Sequence, residues 1–113
     1  LGVDGVIVSN HGGRQLDAGQ STIKPLAEIA KEFKGKTTIM MDSGIRSGSD
    51  VACTMASGAE FTFLGRSFMY GVGAMGKRGG EHTMIMLKRQ LQQVMEQVGC
   101  ERVEDLHKHL IAD

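Results

Sequence analysis

Residues 5–9, GVIVS, run without a break into residues 10–17, NHGGRQLD. The first of these stretches is continuously apolar rather than alternating, as expected of a strand buried on both faces of a parallel sheet. The second brings a histidine and an arginine onto a loop built around two glycines, at the strand's exit. Two later apolar runs, TTIMMD at 37–42 and EFTFLG at 60–65, repeat the scheme, and each leads into its own glycine-bearing loop.

Helical patterns follow these loops. Pro25 suits a first helical turn, and Leu26, Ile29, Ala30 and Phe33 form one apolar face before Gly35 ends it. Ser47 or Ser49 caps a second helix carrying Val51, Ala52 and Met55, which Gly58 closes. The third and longest is expected at 81–98, with Met84, Leu87, Leu91, Val94 and Val98 on one face and Gly99 as its stop. A short terminal helix follows with Val103, Leu106 and Leu110. Successive strand–helix units of this length imply a parallel α/β sheet with right-handed crossovers. Three strands flanked on one side leave a face of the sheet uncovered, so the chain reads as part of a larger unit, either an eight-unit barrel or an open doubly wound sheet. In both, ligands bind at the carboxyl ends of the strands, where the three loops fall.

The composition agrees with one domain of ordinary size: 113 residues, 41% hydrophobic, with 13 basic and 13 acidic side chains giving no net charge. Without excess positive charge there is no reason to expect a nucleic-acid partner. Cys53 and Cys100 have neither the number nor the spacing of a disulfide framework or zinc site, and reduced, cytosol-type thiols are expected. No apolar stretch reaches the ~18–20 residues of a membrane-spanning helix, and the opening residues do not show a charged n-region followed by an apolar h-region, so no targeting segment is expected within them. Because Leu1 leads almost at once into a strand, the sequence is expected to be a piece of a longer one.

The loops carry the chemistry. DSGIRSG at 42–48 and GRS at 65–67 each combine glycine, arginine and a small hydroxyl residue at a strand-to-helix junction. Glycine allows close backbone approach, helix N-termini offer unpaired N–H groups, and arginine presents a bidentate fork, so the pair reads as a phosphate cup. Asp42 binds a ligand hydroxyl or orients Arg46. In the first loop His11 is a side chain able to take up a proton, and the permanently charged fork of Arg14 matches a carboxylate. A base beside a carboxylate clamp suits proton abstraction from the carbon or hydroxyl next to that carboxylate. His82, His107 and His109 read as solvated helix positions, no metal site is expected, and the eight methionines read as core filler.

SNHGGRQLD, DSGIRSGSDV, ASGAEFTFLGR and VMEQVGCERVEDL together resemble the C-terminal third of the FMN-dependent 2-hydroxy acid oxidoreductases, the family of glycolate oxidase, lactate oxidase and the lactate and mandelate dehydrogenases. The resemblance implies a TIM (β/α)8 barrel, of which residues 1–113 supply strands six to eight, their helices and a C-terminal helix. It implies oxidation of an L-2-hydroxy acid to the 2-oxo acid with FMN as cofactor. His11 is then the base and Arg14 the substrate clamp. Asp42, Ser43, Gly44 and Arg46 form a first FMN phosphate loop, and Gly65 and Arg66 a second. A small 2-hydroxy carboxylate is the implied substrate, O2, a quinone or a cytochrome the electron acceptor, and a homo-oligomer, a tetramer, the assembly. The implied location is cytoplasmic, with peripheral membrane association open to the full-length enzyme.

Two positions depart from the family pattern: Ser47 and Ser67 stand where many members have arginine and proline. The family's aspartate partner of the histidine, its substrate tyrosines and its flavin-facing lysine come from earlier strands, outside these residues. The alternative is therefore a non-catalytic fragment that binds the FMN phosphate weakly, or that only assembles with the missing half-barrel. Other phosphate-binding barrels, such as inosine monophosphate dehydrogenase or type II isopentenyl diphosphate isomerase, give no reason for the SNHGGRQ string.

Overall fold

The computed structural model describes residues 2–111; Leu1, Ala112 and Asp113, the ends of the expected 1–113 span, lie outside them. Three strands, β1 (Gly5–Val8), β2 (Thr38–Met41) and β3 (Phe61–Thr62), alternate with helices α1 (Ile23–Phe33), α2 (Gly48–Ala56), α3 (Arg66–Met75) and α4 (Gly79–Val98). The strands pair in parallel in the order β1-β2-β3. Parallel pairing requires a crossover between strands, and α1 and α2 provide it.

The register sorts the apolar residues onto two faces. Val6 lies opposite Ile39, and Val8 opposite Met41. Their side chains meet Leu26, Ala30 and Ile29 of α1, with Ile45 and Ala59 completing the cluster, and Leu26 and Ile39 have no exposed surface. Because side chains alternate across a strand, the row Ile7–Met40–Phe61 points the other way. Ile7 is 51% exposed and Phe61 57%, and the Phe63 ring stands edge-on to Phe61 at 5.1 Å between centroids. This second face is as apolar as the first, and among the described residues no layer covers it, as the sequence led us to expect. A second cluster, with Ala52, Cys100 and Leu106 at its centre, joins α2, α4 and the tail, and Leu91, Val94 and Met55 pack around it.

Several elements differ from expectation. β3 covers only two residues of the run at 60–65. A helix that the periodicity did not indicate, α3, starts directly from the third loop, and α4 begins at Gly79 rather than 81. The tail forms a 3-10 helix, Val103–His109, which ends before Leu110 and leaves that residue exposed. Phe33, Met84 and Val98, assigned to apolar faces, are 41%, 56% and 43% exposed, and Met69, Met75, Met84 and Met86 are surface rather than core side chains. On α4 the expected Leu87, Leu91 and Val94 do face inward, and Gly79 and Thr83 extend the buried line toward the start of the helix. Two glycines account for this placement. A Cβ on Gly79 would lie 2.1 Å from the Gly71 carbonyl oxygen, and one on Gly48 would lie 2.2 Å from the Leu91 nitrogen. Helices α3 and α2 therefore both touch α4 backbone to backbone.

Candidate functional site

All eight residues singled out in the three loops line one cleft of about 550 Å3 at the carboxyl ends of the strands. His11, Arg14, Asp42, Ser43, Gly44, Arg46, Gly65 and Arg66 come together there because each loop leaves its strand on the same edge of the sheet. Phe63, Met69 and Tyr70 also line it, and sequence reasoning missed them. Met69 and Tyr70 belong to the unforeseen helix α3, so no periodic signal pointed to their side chains.

The His11 loop is a single tight turn. His11, Gly12 and Gly13 all have positive φ, at 56°, 66° and 72°. The N–H of Gly13 donates to the Asn10 carbonyl at 3.1 Å and that of Arg14 to the His11 carbonyl at 3.3 Å. Three successive left-handed residues are rare in L-chains, where each non-glycine position costs about 1–2 kcal/mol. The Gly-Gly pair leaves that penalty on His11 alone. The two side chains before the turn hold it: the Asn10 carboxamide accepts from Gly13 N–H at 3.2 Å and donates to the Gln20 carbonyl at 3.2 Å, and Ser9 Oγ accepts from His11 N–H at 3.1 Å. The imidazole of His11 and the side chain of Arg14 are exposed toward the cleft. Strain of this kind, held in place by surrounding bonds, marks functional loops.

The turn is tied to both other loops. Ser43 Oγ accepts from the backbone N–H groups of Asn10 at 3.2 Å and Gly12 at 3.1 Å, and donates to Asp42 Oδ1 at 2.6 Å. Asp42 thus contacts Ser43 rather than Arg46. Arg66 Nη2 donates to the Gly12 carbonyl at 2.6 Å. Ser67 Oγ donates to the Arg46 carbonyl at 3.1 Å, joining the second loop to the third. Both departures from the family pattern have structural roles, since Ser47 caps α2 in a reciprocal capping box with Asp50.

The two helix starts at the cleft differ. In α2 the Ser47 hydroxyl accepts from Asp50 N–H, and Gln90 Oε1 accepts from Gly48 N–H at 2.9 Å, so two of its first-turn donors are satisfied from within the protein. Burial pushes the Asp50 carboxyl up, but the Arg46 N–H, the Ser47 hydroxyl and N–H, and the nearby Arg46 guanidinium outweigh it and hold that carboxyl below its ordinary value. In α3 the N-cap is Gly65, with no side chain to offer, and no side-chain hydrogen bond caps the helix. Its unpaired N–H groups and the positive end of its dipole open beside Arg46, Arg66 and Gly44, a donor set suited to a phosphate dianion. One Arg66 N–H is engaged by Gly12, and a guanidinium has five.

A parallel βα segment with a histidine, two arginine-bearing loops and an uncapped helix start at its strand ends has the donor set that phosphate-binding (β/α)8 barrels place in their late βα-loops and at the start of a short extra helix. A family model described as FMN-dependent dehydrogenase matches residues 1–113, and the chain belongs to that family. It is 41% identical to the L-lactate dehydrogenase of Actinobacillus pleuropneumoniae serotype 5b over 113 residues, which are 100% of this chain and 30% of that protein. Among solved structures, a soluble mutant of the membrane-associated (S)-mandelate dehydrogenase from Pseudomonas putida superposes with a TM-score of 0.86 at 41% identity, over 93% of this chain and 30% of that one. A mandelate oxidase mutant with a monooxide FMN adduct gives a TM-score of 0.89 at 37% identity, over 95% of this chain and 34% of that one. The chain thus spans about 30% of the length of the relatives it matches, and its three βα units are a segment of a TIM barrel rather than of an open doubly wound sheet. No helix among the described residues is long and apolar enough to cross a membrane.

Proposed function

We propose that the protein containing this chain oxidises an L-2-hydroxy acid, of the lactate, glycolate or mandelate type, to the 2-oxo acid with FMN as cofactor, and that this chain supplies the base, the carboxylate clamp and the phosphate cup. The observation that carries the reading is the convergence in one cleft of a strained His11–Gly12–Gly13 turn, Arg14 and two arginine-bearing loops. Family membership and the lactate and mandelate enzymes among its relatives support it.

In this reading Arg14 pairs with the substrate carboxylate through its planar fork and sets which hydrogen faces His11. His11 accepts the substrate proton on its imidazole, and the left-handed turn keeps the ring at the cleft while it does so. Arg46 and Arg66 would hold the cofactor phosphate near the start of α3, where the backbone of residues 43, 44 and 65 would allow close approach. FMN, when bound, would supply the acceptor for the two electrons and the remaining hydrogen of the oxidation. A homo-oligomer, an electron acceptor among O2, a quinone or a cytochrome, and a cytoplasmic location with peripheral membrane association belong to the same proposal. The exposed face of Ile7, Met40 and Phe61 favours a second reading for the 113 residues taken alone, in which they are non-catalytic until the rest of a barrel covers that face.

His11→Gln in the full-length enzyme tests the assignment. FMN content is expected to stay stoichiometric while anaerobic bleaching of the flavin by L-lactate slows by a factor of roughly 10²–10⁴; bleaching at the original rate removes His11 from the role of base. For the isolated 113 residues, stoichiometric flavin absorbance that lactate bleaches would overturn the fragment reading.

A further inference from the structure

We propose that Ser43 is a positioning residue for His11, whose hydroxyl sets the backbone of the base-bearing turn rather than holding the cofactor phosphate. The inference rests on the reading of His11 as the base. A hydroxyl has one hydrogen to give and two lone pairs to share, and Ser43 Oγ uses all three. It gives its hydrogen to Asp42 Oδ1 at 2.6 Å and accepts from Asn10 N–H and Gly12 N–H at 3.2 and 3.1 Å. The Asp42 carboxylate fixes the hydroxyl rotor so that both lone pairs face the turn. Ser43 Oγ receives from the N–H groups of the residues before and after His11, and a single oxygen therefore spans the residue that carries the base. On the far side of Gly12, Arg66 Nη2 holds the carbonyl at 2.6 Å. Ser43 itself sits at φ 78°, a conformation glycine would adopt without strain; the hydroxyl contacts are what a glycine there would lack.

The test uses the full-length, FMN-loaded enzyme. Ser43→Gly keeps the left-handed backbone and removes only the hydroxymethyl group, and Ser43→Ala repeats the deletion with the strain retained. In both, flavin content is expected to remain stoichiometric, while the segment 9–17 loses amide hydrogen-exchange protection. Flavin reduction at saturating L-lactate is expected to slow about 10-fold or more, the scale on which small misplacements of a catalytic group act. In a His11→Gln background the same change should have no further effect, because a group that works through His11 has nothing left to position. An equal loss in both backgrounds, wild-type reduction with slow His11→Gln, or loss of FMN with unaltered exchange at 9–17 would each overturn the proposal alone. Rapid reduction by His11→Gln would overturn the base assignment as well.

Discussion

Gly48→Ala is the sharpest test of how the cleft is mounted. Gly48 opens α2 directly after the second loop, and an alanine Cβ there would lie 2.2 Å from the Leu91 nitrogen, 2.5 Å from Gln90 Cβ and 2.6 Å from the Gln90 carbonyl carbon. Two of these are backbone atoms of α4, so no rotamer change relieves the clash, and α2 must retreat by about 1 Å to reach ordinary contact. Overpacking of this kind costs about 1–3 kcal/mol. The retreat also breaks the 2.9 Å bond from Gly48 N–H to Gln90 Oε1, worth about 1 kcal/mol, while the gain in helix propensity returns less than about 1 kcal/mol. A net loss of about 1–3 kcal/mol is expected, read as a lower urea midpoint at unchanged slope. Gly73→Ala is the matched control: it lies inside α3, and its Cβ would meet nothing within 4 Å. It is expected to stabilise by about 0.5–1 kcal/mol. If Gly48→Ala were as stable as wild type, the backbone contact between α2 and α4 would not exist.

Arg14→Met is expected to weaken L-lactate binding at least 10-fold, with a further loss in the rate of flavin reduction; unchanged values for both in rapid-mixing measurements would remove the clamp. Asp50 gives a pH dependence. Its folded-state carboxyl is held below the ordinary value, so its contribution is fully present above about pH 4 and is lost as pH falls through the lowered value. Urea midpoints measured from pH 5 downward should therefore fall less steeply for Asp50→Asn than for wild type. Ser47→Ala removes the other half of the capping box and should cost about 1 kcal/mol by the same denaturation assay.

The parts that could be read from sequence were those set by local chemistry. GVIVS, TTIMMD and EFTFLG announced parallel strands because burial on both faces leaves no polar alternation, and the loop residues announced a site because glycine, arginine and histidine have few other reasons to gather at strand ends. Helix α3 was not legible, since its sequence RSFMYGVGAM carries two glycines and no polar face. It is helical because Gly71 lets it lie against Gly79 and Thr83 of α4, a tertiary contact that its own residues do not encode. On α4 periodicity marked the covered side through Leu87, Leu91 and Val94, and missed only that Met84 and Val98 fall at its uncovered edge. Ser43 shows the limit within the site. Its place in a phosphate loop could be read, whereas its engagement with a turn 31 residues away depends on how two strands align.

The backbone contacts of α4 carry a consequence for how the cleft tolerates change in length. Gly79 and Thr83 meet the helix that begins at the third loop, and Gln90 and Leu91 meet the one that begins at the second. Thr83 and Gln90 are seven residues apart, close to two full turns, and so project from one side of a single rod about 10 Å apart along its axis. The interval between the two arginine-bearing loops is thereby written in the pitch of α4. One residue inserted between 83 and 90 would swing one seat by about 100° relative to the other, separating the loops without altering any residue that lines the cleft.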